Sequence, residues 1–140
     1  MILQTADWLN KNINRWGCLW FVWLSYGSQY GGHSYKPEDF EFLYKWHVDQ
    51  GWMKDDCWIV DPDKILKDLG VDMPGWVSEV DLDYEMPPTK GRVLEALKYE
   101  RPGYGHWVRG NGHRVITFDP IGRSKTVAEG ELVRRVLAFE

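Results

Sequence analysis

Residues 104–120 read YGHWVRGNGHRVITFDP. Gly105–Arg109 and Arg114–Asp119 flank Gly110-Asn111-Gly112, and two short runs joined through Asn-Gly read as a β-hairpin. Immediately upstream, Val93–Glu100 runs into this hairpin through the turn Arg101-Pro102-Gly103. VLEALKYE also carries helical periodicity. A strand is expected because the turn after it leads straight into the hairpin. Downstream, Glu131–Phe139 alternates in part and is a further candidate strand.

The first half of the chain has a different texture. Cys18 to Leu24 (CLWFVWL) is apolar nearly all round, which suits a buried central helix over 18–26, opened at Gly17-Cys18 and stopped near Gly27. Residues 27–36 (GSQYGGHSYK) read as a loop. Pro37 fits a first helical position, with Glu38 and Asp39 in the favourable first turn. That helix is expected to reach about Gln50, with Gly51 past its end. Asp61-Pro62 begins another helix as N-cap and first residue, Ile65, Leu66 and Leu69 give it an apolar stripe, and Gly70 ends it. Proline and glycine then punctuate at 74–75, with a Pro-Pro pair at 87–88. Helices first and a small antiparallel sheet after them make an α+β fold, expected as one domain over 1–140.

The length, 140 residues, is that of one ordinary domain, and a chain of this size buries roughly 70% of its unfolded surface. Hydrophobic residues are 44% and charged residues 27%, the balance of a soluble globular protein. Seventeen basic against 21 acidic residues leave −4, with no excess to neutralise phosphates, so no nucleic-acid partner is expected. Charge is uneven: 53–86 is acidic and 87–125 basic, which fits two solvated faces or a sign-matched cleft. Nine Trp, seven Tyr and five Phe are enough for some to serve a working surface as well as a core. The N-terminus lacks the basic start and apolar run of an export signal, and CLWFVWL falls far short of the about 20 residues that cross a bilayer. A cytoplasmic protein with no membrane partner is expected, with Cys18 and Cys57 reduced.

Four residues carry candidate chemistry. Cys18 opens a helix, where the positive end of the macrodipole favours thiolate; equally, a cysteine beside Leu-Trp-Phe-Val-Trp is an ordinary core residue. His106 lies early in a strand, a rigid mount for a general base, or simply a half-buried sheet histidine. Asp119 ends the next strand. Across a hairpin turned at Asn111-Gly112, it and His106 meet at the open end, where a carboxylate fixes the imidazole tautomer; alone, Asp-Pro is a turn initiator. Asn12, six residues before Cys18, or Asn14, four before it, offers an amide for an oxyanion. Gly17, Tyr104 and Trp107 flank these positions and are candidate substrate contacts.

In that order the set resembles papain-like cysteine peptidases, in particular the compact branch containing the double-glycine leader peptidases of bacteriocin exporters. Gly17-Cys18, Gly105-His106-Trp107-Val108 and Asp119-Pro120 carry the resemblance, over about 12–27 and 104–123. Residues 117–130 (TFDPIGRSKTVAEG) also resemble small phage- and plasmid-borne proteins of that group. Asn12 stands where the family has the longer Gln. The resemblance implies a papain-like fold and a hydrolase in which Cys18 attacks a peptide or amide carbonyl. His106 is then the base, Asp119 the orienting acid and Asn12 the oxyanion donor, with a peptide or protein substrate and no cofactor. The alternatives on the same scaffold are a binding module that has lost the chemistry and a cell-wall peptide hydrolase.

Other chemistries lack their motifs. His33, His47, His106, His113, Cys18 and Cys57 form no two-plus-two spacing, so no metal site is expected. No phosphate loop and no Gly-x-Ser-x-Gly occurs. Cys57, after Asp55-Asp56, reads as structural, because adjacent negative charge disfavours a thiolate.

Overall fold

The computed structural model describes residues 1–73 and 75–140. The expected Pro74-Gly75 punctuation begins at Pro74, outside the described residues. The fold is α+β, with two compact units, Met1–Asp72 and Met73–Glu140.

The first unit is helical: α1 (Lys11–Trp16), α2 (Cys18–Tyr30), α3 (Pro37–Asp49) and α4 (Pro62–Asp68). α1 was not foreseen from the sequence; Asn10 caps it, its side chain accepting from Asn12 N–H at 2.8 Å. α2 buries Trp20, Phe21, Val22, Trp23 and Leu24, which explains an apolar run without a polar face. α3 buries Phe40, Tyr44 and His47, one stripe at helical spacing. Its first turn is tied by Lys36 N–H donating to the Asp39 carboxylate at 2.8 Å. Asp61 caps α4 by accepting from Lys64 N–H, and Ile65, Leu66 and Leu69 are buried. Phe21 stacks on Phe40 with centroids 5.4 Å apart.

α2 does not stop near Gly27 but runs on to Tyr30. Gly27 serves close packing rather than termination: a Cβ there would overlap the Tyr35 hydroxyl and lie 2.9 Å from Leu69 Cβ. The helix ends instead at Gly31, before Gly32 at φ +72°. Gly27→Ala should therefore destabilise the helical unit by about 1–3 kcal/mol through overpacking, although alanine is the better helix former. Urea denaturation followed by far-UV circular dichroism checks this, and an unchanged midpoint would refute the packing role.

The second unit is a five-stranded antiparallel sheet with one short helix. β1 (Ser78–Glu79), β2 (Val93–Arg101), β3 (Tyr104–Gly110), β4 (Ile116–Phe118) and β5 (Glu131–Phe139) stand in the order β1-β5-β2-β3-β4. α5 (Lys125–Glu129) packs on β2, β3 and β5. β2 is the strand its turn predicted. Leu94, Ala96 and Leu97 are fully buried on it, and Gly103 takes φ +83° in the turn. In the register, Leu97 faces Val108 and Tyr99 faces His106.

The hairpin connection differs from expectation. Gly110 belongs to β3, and β4 begins only at Ile116, so the link is a longer loop. The reason is a buried carboxylate. Glu95 on β2 accepts from Gly112 N–H and Arg114 N–H, both at 3.0 Å, drawing those amides away from a tight ladder. Asn111 Oδ1 accepts from His113 N–H and Val115 N–H and shapes the rest.

Candidate functional site

His106 stands on β3 with Val108 and Gly110 on the buried side of the strand, as period-two alternation requires. Its Nε2 lies 2.7 Å from Asp119 Oδ1, just beyond the end of β4. Both side chains are about nine-tenths buried. The carboxylate is fully engaged. Oδ1 also accepts from Ile121 N–H at 3.0 Å, and Oδ2 accepts from Ser124 N–H at 3.1 Å. Burial on its own would raise the Asp119 pKa. The bond from His106 and the two backbone amides outweigh it and hold the group below its ordinary value. Asp119 is thus ionised at neutral pH, and the His106 ring nitrogen facing it is the donor. Nδ1 is the ring nitrogen that does not face Asp119.

The 119–124 turn is built around this carboxylate. Gly122 N–H donates back to Asp119 O at 2.9 Å, Gly122 takes φ +87°, and Ser124 caps α5. Asp119 is therefore both turn initiator and histidine orienter, two roles the sequence posed as alternatives. Ser124, which donates to the acid through its backbone, has no sequence signal beyond its capping position.

Cys18 is the first residue of α2 and is half-buried. Gly17 joins α1 to α2, and a Cβ there would lie 2.6 Å from Ile13 O, so its glycine serves the tight helix junction. Asn12 Nδ2 donates to Asp55 O at 3.0 Å. Asn14 Nδ2 donates to both Gln4 O and Ala6 O, at 2.7 and 2.9 Å, so both its amide hydrogens are spent on the N-terminal loop. Of the two, Asn12 is the one with a hydrogen not bound to backbone. Cys57 is buried, its thiol pushed up to about 12, first by burial and then by Asp56, Cys18 and Asp55. Tyr104 is exposed beneath Arg101, whose guanidinium lies 4.0 Å from the ring centroid. Trp107 points to the face of β3 opposite His106, near Arg134. Cys18 and Asn12 belong to the helical unit, His106 and Asp119 to the sheet unit.

Among the described residues, no cluster of three or more His, Cys, Asp or Glu side chains could hold a metal ion, and no helix is long and apolar enough to cross a membrane.

Fold and site together define an α+β protein with an oriented, buried His–Asp pair on the end of an antiparallel sheet. The chain belongs to the family described as "Protein of unknown function, DUF261", whose match spans residues 1–139. No curated protein and no solved structure matches it.

Proposed function

We propose that this protein is a papain-like cysteine-nucleophile hydrolase acting on a peptide or amide bond. The observation that carries the reading is the His106 Nε2–Asp119 Oδ1 contact of 2.7 Å, which presents a tautomer-fixed imidazole from a rigid strand. The position of Cys18 as first residue of a 13-residue helix supports it. In the proposed reaction Cys18 Sγ attacks the carbonyl carbon while His106 Nδ1 takes the thiol proton. The oxyanion accepts from the Cys18 N–H and the Asn12 amide. Collapse breaks the C–N bond, and His106 returns the proton to the departing amine. Water, deprotonated by His106, then hydrolyses the thioester and restores the thiol.

The test is the pH dependence of Cys18 alkylation by iodoacetamide, located by peptide mass spectrometry, in the wild type and in His106→Ala. Fast labelling well below about pH 8.5, the range of an ordinary thiol, that slows at least ~10-fold in His106→Ala is the expected result for a Cys–His ion pair. Labelling that rises only near or above that pH, indifferent to the mutation, would overturn the reading. Cys18→Ala should abolish turnover of any peptide substrate while leaving the fold intact. The second reading, a binding module on the same scaffold, is favoured by exposed tryptophans, Trp58 at 64% and Trp76 at 78%. An unreactive Cys18 would point to it.

A further inference from the structure

We infer that Tyr44 and the turn around Asp55 are the device that positions the Asn12 amide, an inference that rests on the hydrolase reading above. Asn12 lies in the first turn of α1, and its side chain meets a loop far away in sequence. That loop, 53–59, is braced by a bridge between Met53 and Ile59 and by Lys54 N–H donating to Trp58 O at 2.9 Å. Cys57 N–H donates to Lys54 O at 2.8 Å, and Cys57 itself sits at φ +66°, a conformation costly for a residue with a Cβ. The turn so formed presents the Asp55 carbonyl to two donors, Asn12 Nδ2 and the Tyr44 hydroxyl. The Cys57 thiol, 3.8 Å from Asn12 O, donates to the backbone of the same residue. Asn12 is held at both its side chain and its main chain.

A primary amide carries two N–H groups in one plane. One N–H lies on Asp55 O, and the Tyr44 hydroxyl is also hydrogen-bonded to this side chain; together they fix the plane of the amide and so the direction of its second N–H. A donor aimed in advance is what an oxyanion site needs, since it costs no reorganisation when charge develops. Tyr44 is 7% exposed on α3 and packs edge-on against Trp20, so its hydroxyl holds the carbonyl from a rigid mount. The clamp also gives a reason why an asparagine suffices at this position: the loop, rather than side-chain length, sets the amide. In this role Tyr44 is a positioning residue and touches no substrate.

The probe is N-acetylglycinal. Its carbonyl adds the Cys18 thiol, forming the S–C bond, breaking the C=O π bond and transferring the thiol proton to oxygen. The resulting thiohemiacetal needs the oxyanion donor, whereas displacement of iodide from iodoacetamide does not. Aldehyde affinity, measured as protection of Cys18, is divided by the alkylation rate in each variant, which cancels changes in thiol reactivity or folded fraction. Asn12→Ala should lower this ratio by ~10²-fold, as for loss of an oxyanion donor, and Tyr44→Phe by about 10-fold. If Tyr44→Phe melts, Cys57→Ala, which removes the thiol contact to Asn12 O, should lower the ratio by a few fold, and an unchanged ratio would overturn the clamp. A ratio unchanged or raised in Tyr44→Phe, with Cys18 still reactive and protected, would overturn the positioning role alone. A Cys18 that neither labels fast nor responds to His106→Ala would overturn this inference and the hydrolase reading together.

Discussion

Arg135→Ala destabilises the sheet unit by about 3–5 kcal/mol, the cost of leaving a buried charge without its partner. Arg135 on β5 and Glu95 on β2 are both fully buried, and Arg135 Nε donates to Glu95 Oε2. Arg135 Nη1 donates to Tyr84 O and Nη2 to Gly112 O. The other carboxylate oxygen holds Gly112 N–H and Arg114 N–H. The pair is thus the centre of a network that ties two neighbouring strands to the 111–115 loop and to the segment before β2. Replacing both charges by apolar residues often restores stability at a buried ion pair. Here the double variant Glu95→Leu, Arg135→Met should stay destabilised, because it strands two backbone donors at about 1–3 kcal/mol for each buried group left unpaired. Native-state hydrogen exchange of β2 and β5 amides is the measurement. A loss under ~1 kcal/mol in Arg135→Ala would show that the network is not what holds the unit. Gly112 belongs to the same construction: it takes φ +95°, and a Cβ there would lie 2.7 Å from both Met86 Sδ and Val93 Cγ1.

In the helical unit, Trp20→Ala is expected to cost about 3–5 kcal/mol. Trp20 is wholly buried, edge-on to Phe21, Tyr44 and His47, and its Nε1–H donates to His47 Nδ1 at 3.0 Å. His47 Nε2 lies 2.9 Å from Asp68 Oδ2, so one line of hydrogen bonds runs from α2 through α3 to the end of α4. Accepting from tryptophan fixes His47 as the neutral tautomer with its proton on Nε2. Trp20→Phe keeps most of the packing but leaves Nδ1 without its donor, and about 1–3 kcal/mol should be lost. The acid side follows from the same bonds. Burial lowers the His47 pKa from its ordinary 6.5, and Asp68 offsets this only in part. Below pH 6.5 the unfolded chain therefore takes up a proton that the folded chain refuses. The stability from this group is full above the unfolded value and falls as pH drops from there toward the folded one. The loss is at most about 1.4 kcal/mol per pH unit. Denaturation midpoints of the wild type and His47→Gln between pH 7.5 and 5 test it. The wild type should lose more on acidification, and parallel slopes would sink the account.

Much of this molecule is legible in the chain because its signals are local. Pro37 with Glu38 and Asp39, Asp61-Pro62 before an Ile-Leu stripe, and the Gly103 turn each act within one turn of backbone. Those elements stand where caps and periodicity put them. The meeting of His106 and Asp119 is legible for the same reason: an antiparallel pair of strands fixes which residues share an open end, even when the connecting loop is longer than a two-residue turn. Gly27 misleads because a glycine that ends a helix and a glycine that lets Tyr35 and Leu69 approach look alike in sequence.

What only the tertiary structure decided is long-range. Nothing near Glu131–Phe139 says that the last strand lies between β1 and β2, since strand order is set by which apolar faces can be buried together rather than by any local propensity. Nothing in the sequence around Glu95 or Arg135 signals that the two satisfy one another in the interior. Asn12 reads as one of two candidate amides, with nothing nearby in sequence to orient it, until the Asp55 carbonyl and the Tyr44 hydroxyl are found beside it. Polar groups of this kind acquire their role from partners dozens of residues away, because burial makes each hydrogen bond obligatory while sequence distance places no limit on who supplies it.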